Sequence, residues 1–166
     1  MADMNFHVFA VDYADACLAL TKEKMDQRGY EKVTYLKNTK TDIPLEDESM
    51  DCAIAWGALF CCNREERYAL FGELYRVLKK GGLFFADFRT KSDFMYGRGS
   101  EKEEDFFVLD DSVGDLAGFS MWFATEQTIR ELYRYHGFEI VNIEREDFWT
   151  DNLQRNNSHY HVWAKK

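Results

Sequence analysis

The segment "ELYRVLKKGGLFFADF", residues 73–88, changes its hydrophobic pattern from that of a helix to that of a buried strand. Its first half continues the helical pattern of "NREERYALFG", residues 63–72, where Asn63 can cap the helix and Gly81 can end it. The run "LFFADF" is apolar at consecutive positions, as in parallel strands that helices cover on both faces. The segment therefore predicts a helix that leads into a central strand of an α/β sheet.

Further apolar runs predict the remaining strands, and two more helical patterns lie between them. One helix is predicted to follow Tyr13 and end at Gly29, and another to run from Thr125 to His136. The alternation predicts one α/β domain over residues 1–166 with a Rossmann-like, doubly wound sheet, mostly parallel. The poorly patterned region 89–122, which contains "EKEEDFFVLDD", is predicted to be a lid or insertion. The other predicted strands are residues 6–11, 33–36, 52–56, 138–143 and 160–164.

Composition narrows the class of protein. The chain has 166 residues, of which 46% are hydrophobic and 16% aromatic, as expected for a globular domain with a core. The net charge of -9 repels polyanions, so we predict no nucleic-acid partner. No apolar run reaches the roughly 18 residues that a membrane span needs, so we predict no membrane partner. The residues near Met1 lack the features of a secretion signal, and we therefore predict a cytoplasmic protein.

The cysteines do not predict a metal site. Their positions show none of the spacings typical of zinc ligands, and free cysteine is most often a core residue. A metal site built from His159 and His161 with the cysteines has no support in the spacing, so we predict none. We expect reduced, mostly buried thiols at Cys17, Cys52, Cys61 and Cys62.

Asp12 closes the first predicted strand, in "NFHVFAVDYADACLAL", residues 5–20. Ligands of open α/β sheets bind beyond the carboxyl ends of the strands, and a carboxylate there can accept hydrogen bonds from ribose hydroxyls. An acid at the start of a helix is also favoured by the helix dipole for structural reasons alone. From Asp12 alone, both interpretations remain open.

The order of the following segments resembles class I S-adenosylmethionine-dependent methyltransferases, of the type 11/25-like domain. These proteins typically carry a loop like G-D-A-x-x-L-P, an F-D before the fourth strand and R-V-L-K-P-G-G before the fifth. The corresponding segments are "VTYLKNTKTDIPLEDESMDCAIAWGALF", residues 33–60, and "ELYRVLKKGGLFFADF". The runs "FEIVNIE", residues 138–144, and "HYHVWAK", residues 159–165, resemble the antiparallel strand pair that ends such a sheet.

The resemblance implies S-adenosylmethionine as cofactor. Asp12 would hold the ribose, Tyr13 would lie near the adenine, and Trp56 would end the fourth strand beside the cofactor. Thr39 and Lys40 would occupy the loop at the adenine edge. Two departures are visible: Thr39 stands where the family often has an acid, and Ala14 stands where a helix-capping serine is common.

The implied reaction is methyl transfer to an acceptor, which we expect to be a small molecule. The cofactor carries an activated methyl group, so the protein mainly aligns the reactants and in some cases supplies a base. The acceptor-side candidates are Asp87 and Arg89, which follow "LFFA", and the pair His159 and His161, which lie two apart on one strand. Of these, His159 is the candidate base. Residues in the irregular region could shape the acceptor pocket; the candidates are Tyr96, Arg98 and Trp122.

The family places a glycine-rich turn after its first strand, roughly 20 residues before the ribose acid. No glycine precedes Asp12, so the sequence predicts a chain truncated at its N-terminus relative to the family, with weak or absent affinity for the cofactor. In another arrangement, the family's second and fourth strands would pair directly. Two other functions stay open: a catalytically inactive binding or regulatory module, and another nucleotide-binding enzyme such as a dehydrogenase.

Overall fold

The computed structural model describes residues 5–166, which form two compact units, one ending at Leu45 and the other beginning at Glu46. In the first unit, β1 (Val8–Asp12) and β2 (Val33–Lys37) pair in parallel and α1 (Asp15–Gln27) connects them. Ala14 precedes α1 without a side-chain cap, as its sequence predicted.

The second unit is built around a seven-stranded sheet. The order of the paired strands is β5-β6-β7-β4-β9-β8, and β3 pairs with β4. Short 3-10 turns at Leu59–Cys61 and Asp111–Leu116 join some of them. The elements are β3 (Met50–Ala55), α2 (Arg64–Val77), β4 (Leu78–Thr90), β5 (Ser100–Glu103), β6 (Phe106–Val108), β7 (Ser120–Ala124), α3 (Glu126–Tyr135), β8 (Glu139–Thr150) and β9 (Arg155–Lys165).

Strand β4 is the centre of this sheet. It pairs in parallel with β3 and, at its last two residues, with β7, and it pairs antiparallel with β9. Strand β8 continues the sheet as the antiparallel partner of β9. The predicted α/β class and the antiparallel pair at the end of the chain are confirmed.

Helix α2 begins as predicted, because Asn63 accepts a hydrogen bond from the Glu66 backbone and Glu66 returns one in a capping box. Its end differs from the sequence prediction: the helix stops at Val77 instead of reaching Gly81. The backbone at Leu78 already pairs with Met50 of β3 and so cannot continue the helix. The contacts of strand β3 therefore decide where α2 ends.

The region 89–122 contains β5, β6 and the start of β7, three strands that its sequence pattern did not predict. Strand β5 lies in the acidic run and is exposed at every position. Its sequence therefore lacks the alternation of apolar and polar residues that would predict a strand. Apolar residues beneath the strands form a buried cluster, so this region has a core of its own. Its members are Phe60, Met95, Phe107, Leu109, Val113, Met121 and Phe123. A role as a lid stays a prediction.

Helices α2 and α3 cover one face of the sheet through an aromatic core. Phe71 of α2 is fully buried, and its ring lies edge-on to Phe84 of β4 at 5.5 Å and to Tyr133 of α3 at 5.0 Å between centroids. Such edge-to-face contacts add to the stabilisation from burial. Burial also raises the pKa of the Tyr133 hydroxyl well above its ordinary value.

The cysteines differ from the sequence prediction. All four are free, but the prediction that they are mostly buried is wrong, since Cys17 and Cys61 are exposed and Cys52 and Cys62 are half-buried. In the 3-10 turn after β3, Leu59 and Phe60 supply the buried side chains instead. In the part of the chain that the structure describes, no helix is both long and apolar enough to cross a membrane.

Substitution of Phe71 tests the aromatic core. Phe71→Ala leaves a cavity between α2, α3 and the sheet, and we expect the free energy of unfolding to fall by about 3–5 kcal/mol. Urea denaturation measures the change. Leu153→Ala is the control, because Leu153 is 73% exposed and its truncation should change stability by less than about 0.5 kcal/mol. Equal effects of the two substitutions would contradict the assignment of the core.

His136, which follows α3, generates a second prediction. Its ring packs against Phe71 at 5.5 Å, its Nε2 is buried without a partner in the described residues, and burial lowers its pKa. Above the ordinary pKa of about 6.5 both folded and unfolded chains hold it neutral. As the pH falls below that value the unfolded chain binds the proton first, so stability is lost.

We therefore expect His136→Phe to reduce the fall in Tm between about pH 7.5 and about pH 5.5. The phenylalanine keeps an aromatic ring in the same apolar surroundings and has no group that titrates in this range. Thermal unfolding of both proteins at the two pH values measures the effect. A fall in Tm that is as large in the variant as in the original chain would show that His136 is not responsible.

Candidate active site

In the first unit, the turn after β1 places Asp12 and Tyr13 at the carboxyl end of the strand. Asp12 Oδ1 accepts a hydrogen bond from the Ala14 backbone at 2.8 Å, while Oδ2 has no partner within residues 5–166. The exposed ring of Tyr13 lies 5.5 Å from the Lys40 ammonium. Asp12 thus supports the start of the helix and keeps one oxygen for a ligand.

The loop after β2 contains an acid that the sequence interpretation missed. The Thr39 backbone donates a hydrogen bond to Asp42 Oδ1 at 2.7 Å, and the Thr39 hydroxyl donates to the same oxygen. A carboxylate therefore lies directly beside Thr39, the position at which the sequence lacks one. The signal for it was the spacing of "TKTD", residues 39–42, which lets the acid turn back onto Thr39.

In the second unit, the Asp87 carboxylate connects β3, β4 and β9. Its side chain is 2% exposed, and Oδ1 accepts a hydrogen bond from the Gly57 backbone at 2.7 Å. The other oxygen lies 3.4 Å from His159 Nδ1, close enough for an ion pair but without hydrogen-bond geometry. Gly57 has a φ of 67°, a left-handed conformation that favours glycine in the turn after β3.

The antiparallel pairing of β4 with β9 places further side chains near the Asp87 carboxylate. His161 lies opposite Asp87, and His159 lies opposite Arg89. Because side chains alternate along a strand, these four residues share one face of the sheet. His159 is 12% exposed, and its ring lies edge-on to Phe60.

An aromatic wall continues this face beyond the histidines. Trp56, at the end of β3, stacks on His161 with centroids 5.3 Å apart and on Phe85 at 5.8 Å. The Trp56 side chain is still 63% exposed. His161 also pairs with Glu146 of β8 at 3.2 Å. The wall therefore offers the open face of an indole beside a buried carboxylate and two imidazoles.

Residues 1–82 match a family model described as a methyltransferase domain. The fold is similar to that of a solved S-adenosylmethionine-dependent methyltransferase from Methanosarcina mazei, with a TM-score of 0.81 and 20% identity over 99% of this chain and 84% of that one. These findings support a class I S-adenosylmethionine-dependent methyltransferase domain. The sequence resemblance is thereby confirmed, and neither a dehydrogenase nor an inactive module is favoured.

Three further methyltransferases are similar to this chain in structure or in sequence. A 1,6-didemethyltoxoflavin-N1-methyltransferase from Burkholderia thailandensis, solved with its substrate and S-adenosylhomocysteine, has a TM-score of 0.72 and 17% identity, covering 99% of this chain and 63% of that one. An O-methyltransferase 3 from Dictyostelium discoideum is 25% identical over 73% of this chain. A demethylmenaquinone methyltransferase from Anoxybacillus flavithermus is 23% identical over 82% of it. The matched regions span 28% and 61% of these last two relatives.

Three of the residues predicted to line the acceptor pocket have polar partners of their own. Arg89 donates to Asp93 at 2.6 Å, and Arg98 donates to the Ser112 carbonyl at 3.2 Å. The Tyr96 hydroxyl donates to Asp105 at 2.9 Å, and this hydrogen bond raises the pKa of Tyr96. The three residues thus support the region 89–122, and their contact with an acceptor stays a prediction.

The structure adds residues for which the sequence gave little signal. Gly57 supplies the backbone N–H that binds Asp87, Phe85 extends the aromatic wall, and Asp42 stands beside Thr39. No motif marks the first two, because their role depends on which strands pair with β4. Among residues 5–166, no three His, Cys, Asp or Glu side chains are grouped as metal ligands would be.

Proposed function

We propose that this protein transfers the methyl group of S-adenosylmethionine to a small-molecule acceptor. The observation that carries the proposal is the buried Asp87 carboxylate, which lies 3.4 Å from His159 on the same sheet face as the aromatic wall. A carboxylate facing one nitrogen of an imidazole leaves the other nitrogen to accept a proton. This arrangement supports an enzyme because a binding module has no need of a base.

The residues of the first unit fit the adenosine part of the cofactor. Asp12 Oδ2, which has no partner in the described residues, would accept from a ribose hydroxyl, and Tyr13 would lie near the adenine. Asp42 beside Thr39 supplies an acceptor for an adenine amino group, and Lys40 packs over Tyr13. When bound, S-adenosylmethionine supplies a methyl group that its positively charged sulfur activates.

The residues of the second unit would act on the acceptor. Trp56 provides an exposed, flat apolar surface, and His159 would remove the proton from the acceptor hydroxyl or amine. Asp87 favours the orientation in which Nδ1 faces it and stabilises the imidazolium that forms. Arg89, Tyr96 and Arg98 are proposed to line the acceptor side.

The names of the relatives support a small-molecule acceptor. One is named for demethylmenaquinone, and the solved Burkholderia thailandensis enzyme holds 1,6-didemethyltoxoflavin. Both acceptors are small organic molecules, and the exposed face of Trp56 suits a flat ring. Incubation with S-adenosylmethionine and a set of phenols, quinols and nitrogen heterocycles tests the activity by the formation of S-adenosylhomocysteine. Cofactor binding without transfer to any of them would argue for a binding module instead.

Substitution of Asp12 tests the ribose contact. In a form of the protein that binds the cofactor, Asp12→Asn keeps an oxygen for the Ala14 N–H but loses the charge and an acceptor, so we expect affinity for S-adenosylmethionine to fall roughly tenfold to a hundredfold. Calorimetric titration measures the affinity, and thermal unfolding should show little change. Asp26→Asn is the control, since among residues 5–166 the Asp26 carboxylate pairs with Lys22 alone, on the exposed surface of α1. A loss of stability without a loss of affinity would assign Asp12 a structural role alone.

Substitution of His159 tests the proposed base. His159→Gln removes the nitrogen that would accept the proton, so we expect kcat to fall by about 100-fold or more. His161→Gln, two residues along the same strand face, is the matched control and should lower kcat much less. Steady-state rates at one pH measure both variants. If the two substitutions have the same small effect, His159 does not act as the base.

A further inference from the structure

A cavity of about 610 Å³ lies between the first turns of α2, helix α3 and the turn that joins β5 to β6. Trp122, a sequence candidate for the acceptor pocket, lines it, whereas Asp12, Trp56 and His159 do not. Glu103 holds the β5–β6 turn against α2, because its carboxylate accepts a hydrogen bond from the Arg64 backbone at 2.9 Å. The walls of the cavity are therefore set by packing and hydrogen bonds within the second unit.

Arg67 and Trp122 together form the buried end of this cavity. The guanidinium lies 3.8 Å above the Trp122 ring, and the whole Arg67 residue is 4% exposed. Its Nη1 donates to the Cys62 carbonyl at 2.8 Å, whereas Nε and Nη2 have no acceptor within the described residues. Burial lowers the pKa of Arg67 to about 10, so the group is charged at neutral pH. Glu103 attracts it electrostatically, but no carboxylate of the described residues lies within ion-pair distance of it.

The unused edge of Arg67 indicates what kind of group would bind there. A buried charge without a counterion is costly, and an anion placed against it removes much of that cost. The Nε and Nη2 donors of a guanidinium lie side by side and match the two oxygens of a carboxylate. This edge therefore selects a carboxylate rather than a neutral acceptor.

The rest of the cavity is acidic, which limits the ligand further. Five carboxylates line it against two guanidinium groups. Asp105 is paired with Lys91, but Glu65 and Glu104 are exposed and have no hydrogen bond or ion pair in the described part of the chain. A purely anionic ligand would be repelled by this field, whereas an ammonium group would be attracted.

We propose that this cavity binds a small zwitterion, an amino carboxylate, with its carboxylate on Arg67 and its ammonium facing Glu65 and Glu104. The site is distinct from the proposed methyl-transfer site and does not depend on that function. The two charges of such a ligand are complementary to those of the cavity, which has a buried cation at one end and unpaired carboxylates at its opening.

The test uses three probes of equal chain length: ε-aminocaproate, caproate and hexylamine. Binding is followed by NMR at the Trp122 indole N–H signal, which Trp122→Phe assigns. We expect ε-aminocaproate to bind at least about tenfold more tightly than either singly charged probe, because only it satisfies both ends. No shift with ε-aminocaproate, or equal binding of all three probes, would overturn the proposal.

Arg67→Gln should weaken ε-aminocaproate about tenfold to a hundredfold through loss of a charge-assisted contact. Arg134→Gln, which removes an arginine of α3 outside the cavity, should leave binding unchanged. Since Arg67 is buried, the double variant Glu65→Gln, Glu104→Gln gives an independent measurement on exposed residues. We expect it to weaken ε-aminocaproate and strengthen caproate, and unchanged selectivity among the probes would overturn the proposal.

Discussion

The second unit depends on the hydrogen bonding of β4 along both of its edges. Pairing with β3 on one side and β9 on the other fixes which residues of β4 face each side of the sheet. Phe84 and Phe88 face α2 and α3 and form the buried aromatic core, whereas Phe85 and Asp87 face the opposite side. A shift of one residue in this pairing would exchange the core with the candidate active site.

The same pairing makes a buried carboxylate tolerable at Asp87. Burying a charge costs several kcal/mol unless hydrogen bonds or opposite charges compensate for it. Here the compensation comes from the Gly57 N–H, which requires the left-handed turn after β3, and from His159 on the opposite edge. Stability and the proposed chemistry thus use the same contacts, and a change at Asp87 would affect both.

The region 89–122 contributes differently to the two candidate sites. Within it, Arg89 pairs with Asp93 and Tyr96 with Asp105. Its β5–β6 turn also closes the acidic cavity, through Glu103 at the start of α2. The region therefore holds residues proposed for the acceptor and also shapes a separate cavity, whose buried cation is Arg67.

The sequence alone determined the elements whose signals are local. The caps of α2 and α3 and the apolar runs of the strands depend on neighbouring residues, so Thr125 and Asn63 marked helix starts correctly. The order of motifs around "RVLKKGG" was sufficient to predict the methyltransferase type of fold. The last turn of α2 was predicted wrongly, because pairing of Leu78 with β3 competes there with the helix.

Only the tertiary structure decided which distant residues meet. Strands β5 and β6 have no alternating pattern of their own, and the buried cluster beside them joins residues as far apart as Phe60 and Phe123. The contact of Asp87 with Gly57, and that of Arg67 with Trp122, join residues far apart in sequence. Such contacts follow from the register and packing of the sheet, whose free energy is gained only when the whole unit folds.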